Sequence, residues 1–468
     1  MATIRTTRTA APGGSLGVVT GSALTLGSVV GTGVLTLPGL AVRTAGPAAL
    51  VAVAALVLLS ISLAATFAAL GARLPGAGGV SSFVHRGLGP TAATVTAWWF
   101  YLGVPLGVPA LGLFAGDHVE AAVGGGTLTR IGTALALVLA AAVANARGVR
   151  VSGPVQVVLT GVLVLGLLTV LAVCLPAADL DRLTPVAPHG WAAVAPALLV
   201  LVWMLTGWEA VTHVTGRFRR PGRDVPRATA VTLLVVAVLF VGTTFALATA
   251  PPDVAASDAP VTALLALRLG PPAAVVLAVL AVLVTVGNNT AYLAGLAELG
   301  SEMGRSGQAP RWLAGTGPSA LPARSLAVVT GQALVSLLVA TVLGWPTEHL
   351  VLVTAASQVA VFAAGLLAAL RLLPRRSPGW WSALASLPPV LVLAVLSGGY
   401  LLVPVALAVA ALAYHRTRDR RTPSAGESAA DDVGALDVVQ RRVPALSGPG
   451  RAGPRGPAPT PGRARSRR

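Results

Sequence analysis

Lysine is absent from this 468-residue chain, so all 33 of its basic residues are arginine. The one cysteine, Cys174, lies inside an apolar run, which excludes a disulfide framework and a thiolate metal cluster. Charged residues make up only 10% and aromatics 4%, too little charge to cover a water-soluble protein of this length. No phosphate-cradling glycine loop, paired catalytic carboxylates or nucleophile–base arrangement is visible. An enzyme, a resident cofactor and an ATP-driven machine are therefore not expected. Asp117-His118-x-Glu120 offers metal ligands only superficially, and we expect a solvated loop there rather than a metal site. The arginine-only usage, with abundant Ala, Gly, Pro and Val, points to a GC-rich bacterial coding sequence.

What is abundant is hydrocarbon, at 55% of residues. Twelve apolar runs of roughly 17–25 residues match the length that crosses a bilayer core of about 30 Å. They fall near 16–40, 46–72, 91–116, 128–146, 153–175, 191–214, 228–250, 272–297, 325–343, 349–370, 380–396 and 398–414. The expected fold is an all-α polytopic membrane protein of about 12 transmembrane helices. Residues 1–15 form a short cytoplasmic segment, 16–414 the membrane domain, and 415–468 a disordered basic tail rich in Arg, Pro, Gly, Ser and Ala. The first run is too long for a cleavable signal. With the N-terminus inside, the inner loops hold fifteen arginines against four outside, namely Arg43, Arg130, Arg182 and Arg268. This positive-inside bias puts both termini in the cytoplasm of a bacterial cell, with the chain in its inner membrane. The net charge of +17 is thereby explained by topology and an anionic lipid surface, and no nucleic-acid partner is expected.

Two runs are interrupted. The first contains Gly27-Ser28-Val29-Val30-Gly31-Thr32-Gly33 and is closed by Leu37-Pro38-Gly39. Each glycine costs about 1 kcal/mol of helix propensity relative to alanine. An unwound segment at membrane depth is tolerated only where it lines a cavity or is packed inside protein. Its freed amides, at the positive end of the next half-helix, suit a carboxylate. The spacing Gly27-xxx-Gly31 is equally that of two closely packed membrane helices.

The sixth run breaks at Trp203-Met204-Leu205-Thr206-Gly207-Trp208-Glu209. Glu209 is the one acid deep in a span, where a charge costs about 2.5–3.5 kcal/mol, so it is read as facing a cavity. It serves there as a proton-titrating group or as a structural acid bonded to neighbouring helices. Trp203 and Trp208 flank the break as gate or lining, or belong to an interfacial belt. Breaks in runs 1 and 6 divide the chain into two five-helix repeats of opposite orientation, an inverted-repeat transporter. Gly103, Pro105, Gly107 and Pro109 predict a kink in run 3, and Ser81-Ser82 a serine-capped interfacial helix. Asn288, Asn289 and Thr290 read as interhelical hydrogen-bonding glue.

Three segments together resemble the amino acid–polyamine–organocation superfamily of permeases. They are Gly27 through Pro38, Gly207-Trp208-Glu209-Ala210 through Pro221-Gly222-Arg223-Asp224-Val225-Pro226-Arg227-Ala228, and Gly307-Gln308-Ala309-Pro310-Arg311-Trp312-Leu313-Ala314. Gly79-Val80-Ser81-Ser82-Phe83 and the proline-bearing run 3 look most like the exporters of L-methionine and branched-chain amino acids. The resemblance implies a LeuT-like 5+5 inverted repeat with helices 1 and 6 discontinuous.

Carried onto this chain, the resemblance implies that the backbone around Gly31, Thr32 and Gly33 holds a substrate carboxylate. Carbonyls near Val29, Trp203 and Thr206, beside Gly207, accept the ammonium. Trp203 stands at a substrate-covering position and Glu209 at a proton-sensing one. Arg217 and Glu298 depart from the pattern, standing where relatives carry an acid and a base, respectively, and span 5 lacks the internal lysine of some relatives.

The implied function is a secondary transporter, a proton-coupled exporter of neutral apolar amino acids such as methionine and leucine, isoleucine or valine. Its partners are the amino acid, protons and the lipid bilayer, with the oligomeric state left open. An uptake permease or amino acid/amine exchanger of the same superfamily is the alternative. A non-transporting membrane sensor or assembly subunit is the alternative of another class.

Overall fold

The computed structural model describes residues 16–74, 79–148, 153–210, 218–315 and 322–419. Helices account for nearly all of the ordered backbone. Among the described residues no β-strand forms, and the one isolated bridge pairs Leu16 with Phe218. Ten helices are long and apolar enough to cross a membrane. One of them, Gly33–Arg73, spans 41 residues, about 60 Å of helix and twice the hydrocarbon thickness. It is divided at Gly46, whose φ of 61° lies in the left-handed region, followed by Pro47. The sixth run supplies only the short apolar stretch Trp191–Leu205. Length and composition thus count ten where twelve were expected, because the first two runs merge and the sixth is broken.

In chain order the helices are α1 (Val18–Val29), α2 (Gly33–Ala45), α3 (Ala49–Arg73), α4 (Val80–Leu88), α5 (Pro90–Trp98) and α6 (Val108–Val123). They continue with α7 (Gly126–Ala146), α8 (Gly153–Cys174), α9 (Val194–Leu201) and α10 (Pro221–Ala248). Then come α11 (Pro252–Ala256), α12 (Pro260–Leu269), α13 (Pro272–Ser306), α14 (Ala323–Val342), α15 (Thr347–Leu372), α16 (Pro378–Leu396) and α17 (Leu402–Asp419). The last helix runs five residues past the expected end of the membrane domain. The rest of the basic tail lies outside the described residues, as do residues 1–15 and Arg217.

The kink expected in run 3 is present. A π-turn over Trp99–Gly103 and a 3-10 turn over Val104–Gly107 separate α5 from α6. Pro105 has no N–H to continue the helix, and its ring clashes with the preceding turn. The Leu102 carbonyl accepts instead from Gln332 of α14, and the Tyr101 hydroxyl bonds Ser325 Oγ at 2.9 Å. The helix α4 begins without the expected serine cap, since Gly79 precedes it and no side chain caps it.

Small residues bring the helices together. A Cβ on Gly112 would come within 2.9 Å of the Ala134 Cα, and one on Gly116 would strike the Arg130 carbonyl. This glycine face lets α6 lie backbone to backbone against α7. The interior is filled by Phe67, Phe83, Phe114, Phe240 and Phe362. Val158, Val276 and Leu338 are more than half exposed on the outside, as expected of a surface solvated by lipid rather than water.

Candidate functional site

The first helix ends at Val29, and α2 restarts at Gly33. Between them Val30 is extended, with ψ at 99°. The first amides of a helix have no intrahelical acceptor. Val34 and Leu35 reach back to the carbonyls of Gly31 and Thr32 at 3.3 and 3.0 Å. The amides of Gly31, Thr32 and Gly33 make no such bond among the described residues.

The three glycines divide the two roles that the sequence leaves open. A Cβ on Gly27 would sit 2.5 Å from Thr160 Oγ1 and 2.7 Å from Gln156 Nε2, so Gly27 is the packing glycine against α8. Gln156 also donates to the Gly27 carbonyl at 3.2 Å, pairing an acceptor near the end of the broken helix. Gly31 and Gly33 instead face the cavity described below.

In the sixth run α9 tightens into a 3-10 turn over Val202–Leu205, then Thr206 becomes extended. Gly207 follows with φ 115°, a conformation open to glycine and strained for other residues. Its N–H donates to Glu209 Oε2 at 3.1 Å, and its carbonyl lies 3.4 Å from Ser28 Oγ, whose hydroxyl bonds the Thr25 carbonyl at 2.7 Å. The two helix breaks therefore touch. Glu209 is buried, with Gln358 of α15 close to its carboxyl group, and Trp208 beside it is fully enclosed.

A cavity of about 40 Å³ lies between the breaks. Val29, Gly31, Gly33, Trp203 and Thr206 line it, together with Val34, Val104, Gly107, Val108, Leu111, Met204 and Phe240. Of the expected binding residues, Thr32 and Gly207 do not line it. The Thr32 hydroxyl accepts a bond from Thr285 Oγ1 of α13 at 3.3 Å, and Gly207 is turned against Ser28.

The Trp203 indole reaches across the space. Its Cδ1 would lie 3.6 Å from a Cβ on Gly33, and the far edge of its six-membered ring packs on Gly107. The room left is enough for a few waters. An amino acid therefore enters only if this ring or the helices around it shift.

Lining residues that the sequence did not nominate include Gly107 in the kinked run 3, Asn288 and Tyr292 on α13, and Thr354 on α15. The signal for Asn288 was the polar Asn288-Asn289-Thr290 step, read as glue. In the structure Asn288 approaches Gly31, while Thr290 bonds its own helix at Val286. The helix-joining bond comes from Asn145, which donates to the Thr290 carbonyl at 3.0 Å.

Glu209 opens onto a second, larger cavity of about 440 Å³ between α4, α5, α13 and α15, shared with Glu298 and Glu302. Glu302 pairs with Arg305 at 3.1 Å. Tyr292 lines the first cavity and Glu209 the second.

Asp117 and His118 are not in a solvated loop. Both are buried near the end of α6, because each finds a partner there. Asp117 pairs with Arg130 of α7 at 2.5 Å. His118 bonds Thr262 Oγ1 at 2.7 Å and Thr36 Oγ1 at 3.4 Å. Among the described residues no cluster of His, Cys, Asp and Glu has a metal-holding arrangement. At the same end of the protein, Arg43 of α2 pairs with Asp258 at 3.1 Å and Glu348 at 3.5 Å.

Comparison with known proteins bears directly on this two-break architecture. The amino acid permease family matches residues 16–421. The uncharacterized amino acid permease YecA of Bacillus subtilis (strain 168) is 31% identical over 408 residues, 86% of this chain and 95% of that protein. The L-methionine/branched-chain amino acid exporter YjeH of Escherichia coli (strain K12) is 33% identical over 241 residues, 49% of this chain and 55% of the exporter. The branched-chain amino acid permease BcaP of Bacillus subtilis (strain 168) is 25% identical over 236 residues, 47% of this chain and 51% of the permease. Multi-pass, helical, broken twice beside a central cavity and matched over nearly all of its described length, the chain belongs to the amino acid permease family of the amino acid–polyamine–organocation superfamily.

Proposed function

We propose that this permease exports neutral apolar amino acids, methionine, leucine, isoleucine and valine among them, in exchange for protons. The observation that carries the reading is the cavity between the two breaks. It is lined by Gly31 and Gly33, whose amides have no backbone partner among the described residues, and mainly by Val, Leu, Met, Phe and Trp, with no arginine or acid among its lining residues. A substrate carboxylate is held by the amides of Gly31 and Gly33 at the positive start of α2, with Thr32 between them bonded to Thr285. The ammonium is held by carbonyls of Val29, Trp203 and Thr206, the Trp203 carbonyl using its second lone pair beside the bond it accepts from the Thr206 N–H at 3.0 Å. A hydrocarbon side chain then lies against Trp203. A charged side chain finds no counter-ion and is disfavoured by desolvation.

Glu209 is the proton carrier in this reading. It holds the Gly207 amide while facing the larger cavity, so its protonation is coupled to the geometry of the second break. With both termini in the cytoplasm of a bacterial plasma membrane, protons moving inward are driven by about 2.3 kcal/mol per charge per 100 mV. Antiport converts that drive into outward amino acid flux. The likeness to a methionine and branched-chain exporter favours this direction. The likeness to a branched-chain amino acid permease favours the second reading, uptake or exchange at the same site. Efflux and toxicity profiling separates them: cells expressing the chain should resist excess methionine and leucine and release them into the medium. Increased sensitivity with net accumulation would support uptake instead.

A further inference from the structure

Thr354 of α15 is 2% exposed, and its hydroxyl has no hydrogen-bond partner. Threonines in membrane helices ordinarily turn the hydroxyl back onto the carbonyl four residues earlier. Thr25, Thr66, Thr94, Thr244 and Thr290 of this chain do so, at 2.7–3.0 Å. Thr354 does not bond the Leu350 carbonyl. Among the described residues it is the one unpartnered buried hydroxyl that also lines the central cavity. A buried polar group left unpaired is disfavoured, and any ligand atom that pairs with it recovers the loss.

The position of this hydroxyl says which part of a ligand it meets. A Cβ placed on Gly107 would be 2.7 Å from Thr354 Oγ1 and would overlap the far edge of the Trp203 ring. The near edge of the same ring faces Gly33, one of the open amides. Thr354 is therefore an indole's length from the carboxylate-holding backbone, where the far end of a substrate side chain arrives. Val104, Val108 and Leu111, from the same kinked run as Gly107, add apolar wall to the cavity.

We propose that Thr354 is a specificity-determining residue, favouring substrates whose side chain carries a hydrogen-bond acceptor next to its end, the thioether sulfur of methionine, over hydrocarbon side chains of the same shape. The inference rests on the amino acid reading of the cavity and deepens it. A thioether sulfur is a weak acceptor. Its gain is therefore at the lower end for a neutral hydrogen bond, about threefold in affinity. Without a donor, the more hydrophobic isostere wins in an apolar pocket.

The test is displacement of radiolabelled leucine from the purified full-length protein by methionine and by norleucine, in which a methylene replaces the sulfur. Wild type is expected to prefer methionine about threefold. Thr354→Val keeps the shape but not the hydroxyl, and should bring the ratio to one or below. Thr354→Ser should keep the preference. Should Thr354→Val fail to insert, Thr354→Ala is read in its place. An unchanged ratio in the hydroxyl-free variant, or equal displacement by the two ligands in wild type, overturns this inference and leaves the transport reading standing. Absence of leucine binding to folded wild type overturns the apolar-substrate reading and this inference with it.

Discussion

Ser28 and Gly207 lie in contact: Ser28 Oγ, which donates to the Thr25 carbonyl at 2.7 Å, approaches the Gly207 carbonyl at 3.4 Å, and a Cβ on Gly207 would collide with the Ser28 carbonyl. The two helix interruptions, 179 residues apart in the chain, thus form one unit. Each break opens backbone groups, and their contact fixes where those groups point.

Gly207→Ala is the direct probe of that contact. Alanine must hold φ near 115° and displace the backbone of residue 28. Strain of this kind costs about 1–3 kcal/mol before the steric overlap is counted. We expect a lower melting temperature and transport below about a tenth of wild type, measured on purified protein and in proteoliposomes.

Gly33 tests the amide site by size. A Cβ there meets Leu37 Cδ1 at 3.1 Å and Trp203 Cδ1 at 3.6 Å, so one methyl is nearly accommodated and a branched side chain is not. Gly33→Ala should weaken substrate binding modestly, whereas Gly33→Val should abolish it while the protein still inserts. Retained binding in Gly33→Val would remove this backbone from the carboxylate site.

Glu209→Gln separates proton carrier from structural acid. Glutamine keeps an acceptor for the Gly207 amide, so the break is expected to persist. Exchange that varies with pH in wild type should become flat with pH in the variant, with substrate binding still measurable. An unchanged pH profile would leave Glu209 only its bond to Gly207.

The Asp117–Arg130 pair is a stability prediction. Asp117 is buried, with a side chain 5% exposed, while Arg130 reaches partly into solvent at 32%. Arg130→Met leaves a buried carboxylate without its cation and should destabilise by about 2–4 kcal/mol. Adding Asp117→Asn should recover much of that loss, read by thermal unfolding of the single and double variants.

The membrane character, the helical runs and both breaks were legible in the sequence, because chain length against bilayer thickness and glycine at membrane depth are strong local signals. Trp203, Thr206 and Gly33 could be nominated for the same reason. Thr354 and Gly107 could not, since they reach the cavity from α15 and the kinked run 3 through tertiary packing. Asp117 and His118 misled because polar residues at a span end suggest water. Their partners Arg130, Thr36 and Thr262 come from three other elements and make burial tolerable. Ten helices rather than twelve meet the spanning length because the second half of run 1 merges with run 2 and the sixth run is too broken to measure as one helix.

Coupled exchange itself is tested most directly by counterflow in proteoliposomes. Vesicles loaded with unlabelled leucine are given external labelled leucine, with and without an imposed proton gradient. The expected result is labelled uptake by exchange in both, with an inward proton gradient accelerating net release of internal leucine in wild type and not in Glu209→Gln. Leucine flux of the same size and direction whatever the proton gradient would contradict proton-coupled export.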